Sequence, residues 1–256
     1  MREILPFLCE GETLLATLDG PPSATIGWLF VTGGTQTRVG PHRLYERLAH
    51  VLAEAGQAVL RFDRRGVGDS GGADPDYEGS GSDLAAAVAL LRAQIPGLRR
   101  IFGFGLCDGA TALVLNRERL GLDALALANP WAIEPHDDLP PAAAIRGHYR
   151  HRIADPKAWA ALLRGRANLA RLARGLLRSV RTEQSPLAHR VAAGIRPTDT
   201  IILARDDGTA QAFRAACGRI HAQWRTIATA SHSFADAPAF AALRDALLAI
   251  GATPPR

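Results

Sequence analysis

The sequence predicts an α/β fold, a mostly parallel central sheet with helices on both faces and a helical cap insertion. Three observations predict it. Short apolar runs alternate with helical patterns through the first half, the mark of strands joined by crossover helices. That alternation lapses over residues 132–196 and then resumes. With 256 residues, 47% hydrophobic and 21% charged, the chain is long and apolar enough to bury a full core.

Residues 26–32 (IGWLFVT) read as a buried strand, and Leu44, Leu48, Val51 and Leu52 give helical spacing over 44–55. The run 58–62 (AVLRF) is the next strand. An alanine-rich helix follows over 84–95, with Ser82 or Asp83 near its start. Residues 100–104 make a strand, a helix begins at Asp108, and 122–128 (LDALALA) close the first half as a strand. Between 132 and 196, Pro135, Pro140 and Pro141 precede arginine-rich helical segments with no strand pattern. We therefore divide the chain into a core of 1–131 and 197–256 and an inserted helical cap of 132–196. The core resumes with a strand at 200–204 (TIILA), a helix over 209–217, a strand at 224–228 and a last helix over 236–250, capped by Asp236.

Composition narrows the function classes. Cys9, Cys107 and Cys217 are odd in number and widely spaced, without a CxxC pair, so neither a disulfide framework nor a metal cluster is indicated and a reducing cytoplasm fits. The apolar run 4–9 is broken by Pro6 and ended by Glu10, too short for a signal peptide core or an integral membrane segment. The net charge of +5 comes almost wholly from arginine, Lys157 being the only lysine, and reads first as compositional bias. No nucleic acid partner is expected. Segment 66–72 (GVGDSGG) lacks the GK[ST] ending of a phosphate-binding loop, and no cofactor is expected.

Chemistry concentrates where the strand at 100–104 runs into Gly105-Leu106-Cys107-Asp108-Gly109 and then a helix. This resembles the strand, sharp turn and helix of the nucleophile elbow in α/β-hydrolases, with cysteine at the nucleophile position. A nucleophile there sits at strained dihedrals and needs small neighbours, which Gly105 and Gly109 supply. The positive end of the following helix favours the thiolate. Against this stands the reading of a buried structural cysteine. Cys9 and Cys217 are read as packing residues.

A thiol nucleophile needs an imidazole to take its proton and a carboxylate to fix the imidazole. His232 follows the last strand in a loop of small residues; His221 precedes that strand, at the wrong end of the sheet. The strand at 200–204 ends in Asp206-Asp207-Gly208, and Asp207 is the expected acid with Asp206 as its alternative. Ordinary turn chemistry also explains an Asp-Gly pair. Oxyanion donors are expected from the backbone of Asp108 and from Gly34 or Thr35 in the loop Gly33-Gly34-Thr35-Gln36. Gln36, Arg38, Trp131, His148 and Tyr149 are the candidate substrate contacts. Asp63 with Arg65, in a D-x-R-G-x-G-x-S segment, is read as tying neighbouring loops together.

The chain also resembles a narrower group, the hydrolase 1 proteins associated with exosortase A systems in bacteria. The resemblance rests on Gly33-Gly34 with 38–43 (RVGPHR), on 61–63 (RFD) with Arg65-Gly66 and Gly68-Asp69-Ser70, and on 105–108 (GLCD). It continues through Asn129-Pro130-Trp131, 147–150 (GHYR) and 207–211 (DGTAQ). It implies Cys107 as nucleophile, Asp207 over Asp206, a cap over the site and a link to exopolysaccharide production. The expected activity is that of an acyl hydrolase, or an acyltransferase, on a small-molecule ester or thioester. Its arginines leave open a peripheral membrane contact through the cap. The alternatives are a dienelactone-hydrolase-like lactonase and a non-catalytic protein that binds an acyl or glycan group.

Overall fold

Runs of Leu, Phe, Val and Ala buried along nearly their whole length require a sheet covered on both faces, and the central strands are of this kind. The structure, a computed structural model, describes residues 1–133, 185–217 and 219–253. An eight-stranded sheet comprises β1 (Arg2–Cys9), β2 (Glu12–Asp19), β3 (Ile26–Val31), β4 (Ala58–Phe62), β5 (Arg100–Leu106), β6 (Ala124–Ala128), β7 (Thr200–Ala204) and β8 (Gln223–Ile227). Its order is β1-β2-β4-β3-β5-β6-β7-β8. Strands β3 to β8 run parallel, and the β1–β2 hairpin joins antiparallel through β2 and β4.

Alternate side chains of these strands feed two cores. Trp28, Phe30, Phe102, Phe104 and Ile202 pack under α1 (Leu44–Glu54) and α8 (Ala237–Ala252). Leu29, Val31, Ile101, Leu125, Leu127 and Ile201 pack on the opposite face, under α3 (Gly81–Gln94), α4 (Asp108–Leu115), α6 (Pro186–Gly194) and α7 (Gly208–Ala216). Each large side chain so buried contributes about 1.5–3 kcal/mol. The remaining helices, α2 (Asp76–Gly79) and α5 (Arg117–Leu120), are single turns.

Strands β1 and β2 were not read from the sequence. Cys9 does not precede the sheet; it ends β1 and is buried, its thiol donating to Asp83 Oδ1 at 3.3 Å. Helix α3 begins at Gly81, three residues before the expected start. Asp236 does cap α8, accepting from Ala239 N–H at 3.0 Å. Asp63 and Arg65 each tie loops, but through other partners: Asp63 pairs with Arg38, and Arg65 with Asp83 at 2.6 Å and with Glu10. Of the expected cap, residues 134–184 lie outside those described, His148 and Tyr149 among them; within 185–196 the chain forms α6, with Leu187 and Val191 buried in the core.

Strand order reverses at β3, whose neighbours β4 and β5 lead away in opposite directions. The carboxyl ends of β3 and β5 therefore border the crevice where ligands gather in such sheets.

Candidate active site

Cys107 leaves β5 with φ 60° and ψ −128°, a conformation strained for a residue with a Cβ, and α4 starts at the next residue. The sharp turn demands glycine on both sides. A Cβ on Gly105 would stand 2.5 Å from Ala110 N, and one on Gly109 would press on the Val31 carbonyl, 2.8 Å from the Thr32 carbonyl carbon. Backbone bonds hold the turn: Cys107 N–H donates to the Ala128 carbonyl at 3.0 Å, and Trp131 N–H donates to the Cys107 carbonyl at 3.2 Å. Cys107 is partly exposed, whereas Cys9 and Cys217 are buried and burial pushes their thiols up, to about 11 and about 12.

His232 and Asp207 meet at this turn. The imidazole Nδ1 lies 3.1 Å from Asp207 Oδ2. Asp207 is itself fixed by capping α7, the same oxygen accepting from Ala210 N–H at 2.9 Å. Asp206 is exposed and its carboxylate takes no part. Burial pulls the His232 imidazole down, but hydrogen bonds to Asp207 and to Cys107 outweigh it and push the group up to about 10. With Nδ1 toward Asp207, Nε2 is the nitrogen left for the thiol.

The loop after β3 approaches from the other side. Gly34 adopts φ +55° and donates its N–H to the Asp108 carboxylate, 2.8 Å and 2.9 Å from its two oxygens. The Gly34 carbonyl accepts from Arg64 Nη2 at 2.6 Å. Burial pushes Asp108 above the usual aspartate range, against the opposing pull of the Gly34 bond and of Arg64. Thr35 and Gln36 are exposed on this turn. Asp108 N–H, at the first position of α4, has no intrahelical acceptor and is directed out of the helix start.

The other candidate contacts divide. Trp131 is half-buried beside the elbow. Arg38 bonds to Asp63, to Asp69 at 3.0 Å and to Thr17 at 3.2 Å, which commits its guanidinium to the loops around β4.

Two residues to which the sequence reading gave no role complete the frame. Tyr45, fully buried on α1, donates its hydroxyl to the Val31 carbonyl at 2.8 Å and accepts from Leu106 N–H at 3.0 Å, tying the tips of β3 and β5. Asn129, fully buried, donates to the His232 carbonyl and accepts from Ala204 N–H, both at 2.8 Å. A polar residue closing an apolar strand ahead of proline was the available signal for Asn129.

No protein-family model matches the sequence, and no curated protein matches it either. Solved structures do resemble the fold. An esterase of Pyrococcus furiosus superposes with a TM-score of 0.65 at 15% identity, over 98% of this chain and 90% of that one. An α/β serine hydrolase without lid from Xanthomonas campestris gives 0.62 at 17% identity, over 99% and 97%. A dienelactone hydrolase from Anabaena variabilis gives 0.62 at 17% identity, over 98% and 95%. The chain has the α/β-hydrolase fold. Cys107, Asp207 and His232 follow β5, β7 and β8 of that α/β-hydrolase sheet, all at the carboxyl edge of its parallel strands. Among the described residues, no cluster of three or more His, Cys, Asp or Glu is placed to hold a metal ion, and no helix is long and apolar enough to cross a membrane.

Proposed function

We propose that the protein is a cysteine-nucleophile acyl hydrolase acting on a small ester or thioester. One observation carries this reading: Cys107 sits in the strained turn of a strand-to-helix elbow, near enough to the His232 imidazole to raise its pKa, while Nδ1 of that imidazole faces Asp207. Strain at a partly exposed thiol is what an attacking group requires, and a buried packing cysteine does not need it.

In this mechanism the Cys107 sulfur attacks the carbonyl carbon while His232 holds the thiol proton. The carbonyl π pair moves onto oxygen, which the Asp108 N–H and the β3 loop stabilise. Collapse expels the alkoxide or thiolate, which takes the proton from His232, leaving an acyl-cysteine. Water then attacks, giving a proton to His232, and the acid departs as sulfur regains that proton. Asp207 keeps the imidazole in the tautomer that faces sulfur. Acyl transfer differs only in the nucleophile of the second step, and a lactone substrate only in keeping its leaving group attached.

We further propose, from the sequence, that the insertion covers this site with His148 and Tyr149 as contacts; α6 (Pro186–Gly194), whose Leu187 and Val191 are buried in the core, is not part of that cap. The chain's sequence motifs are the support for an association with exosortase and exopolysaccharide systems and for a cytoplasmic location. Incubation with p-nitrophenyl esters and acyl thioesters of graded length, followed by mass spectrometry, tests the mechanism. An acyl adduct on Cys107 that vanishes in Cys107→Ala is expected; turnover without that adduct overturns it.

A further inference from the structure

The Gly34 N–H, placed to help bind an oxyanion, is already occupied. Both Asp108 oxygens lie within 2.9 Å of it, so an anion stands where the reaction would develop another. The fit is close: a Cβ on Gly33 would run into the Asp108 carboxylate and come 3.3 Å from Cys107 Cβ. On the far side of the same residue, where Arg64 holds the Gly34 carbonyl, Arg64 is 1% exposed, and its Nε and Nη1 are buried without a partner. Thus a buried cation and a carboxylate grip one glycine from opposite ends, beside the nucleophile.

We propose that Asp108 caps its own oxyanion site: its carboxylate holds the Gly34 N–H in the resting molecule, and the acyl step proceeds once that carboxylate is protonated or turned away. The inference rests on the acyl-hydrolase reading for its catalytic consequence, though not for the cap itself. An ionised Asp108 both withholds a donor and repels the developing oxyanion. The charged and titratable groups facing it are Arg64 from the loop after β4, Asp76 and Tyr77 from α2, Tyr45 from α1 and Cys107 from the elbow. Burial and Asp76 favour its proton, Arg64 and the Gly34 bond oppose it, and the balance lies toward easier protonation.

The test begins with the Gly34 amide resonance, followed by proton–nitrogen NMR through the acidic range in the wild type and in Asp108→Asn. In the wild type the amide proton moves upfield as Asp108 protonates and its hold weakens; in the variant that movement is absent. A wild-type Gly34 signal that does not respond to pH overturns the cap, and this readout needs neither turnover nor a folded variant. The second arm is kcat/KM on a short acyl thioester at neutral pH. One freed oxyanion donor predicts a rise of about 10²-fold in Asp108→Ala, which removes every side-chain acceptor, carried by kcat and with a flatter acid side to the pH profile. A fall in kcat with an unchanged profile makes Asp108 a loop support and also overturns the cap. A titrating Gly34 with no turnover of any ester or thioester overturns the acyl-hydrolase reading and keeps the cap.

Discussion

Replacing Tyr45 by phenylalanine removes one oxygen and nothing else from a fully buried position. The ring keeps its neighbours, with Phe30 at 5.5 Å and Phe104 at 5.4 Å between centroids, so packing is preserved. What is lost is the hydroxyl that links the Val31 carbonyl to Leu106 N–H. Each buried backbone group orphaned in this way costs about 1–3 kcal/mol, so the pair is worth roughly 2–4 kcal/mol after partial relaxation. For a protein of this size that lowers Tm by about 4–16 °C. Activity falls with it, because the two strand tips joined by Tyr45 carry the Gly33-Gly34 turn and Cys107. Differential scanning calorimetry paired with kcat on the best thioester reads both. A Tm within about 1 °C of wild type would refute the reasoning, since it would mean that neither backbone group depends on the hydroxyl.

Other perturbations separate the roles of the remaining residues. Asp207→Asn should lower kcat by roughly 10⁴-fold with little change in KM, while Asp206→Asn should leave both unchanged in the same ester assay. His232 has a folded pKa raised from 6.5 to about 10, so its pairing with Asp207 adds stability that is fully present below pH 6.5 and lost as pH rises through about 10. The stability gap between wild type and Asp207→Asn, from urea melts across that window, should therefore narrow toward its alkaline end. Asn129→Asp keeps the acceptor for Ala204 N–H but loses the donor to the His232 carbonyl, and should cost about 2 kcal/mol while lowering kcat more than KM. Gly109→Ala places a Cβ against the Val31 carbonyl and should destabilise by about 3 kcal/mol, visible as lost soluble yield or a lowered melting transition.

Legibility of this molecule in its sequence followed the range of the interactions involved. Strands β4 and β7 match the sequence reading residue for residue, and the other parallel strands shift by one or two residues; burial on both faces makes all of them but the exposed edge strand β8 nearly unbroken apolar runs. The hairpin was lost for the opposite reason. On β1, Ile4 and Leu8 are 63% and 74% exposed, so apolar character there does not track burial. The alternation of buried Leu14, Ala16 and Leu18 on β2, and the left-handed pair Glu10 and Gly11 between the strands, were the signals present. At the site, Cys107 was legible because strain is local and glycine must stand on both sides of it. Asp108 was read only for its backbone N–H, which the helix start dictates; its carboxylate meets Gly34 across 74 residues of chain. Tyr45 and Arg64 belong with it, since each acts on a backbone group that only the assembled sheet brings within reach. The residues proposed to do the chemistry are thus announced by their own turns, and those proposed to control it by the company the fold gives them. That difference is why the carboxylate beside the nucleophile, rather than the triad, is where a substitution should change the pH profile without removing the reaction.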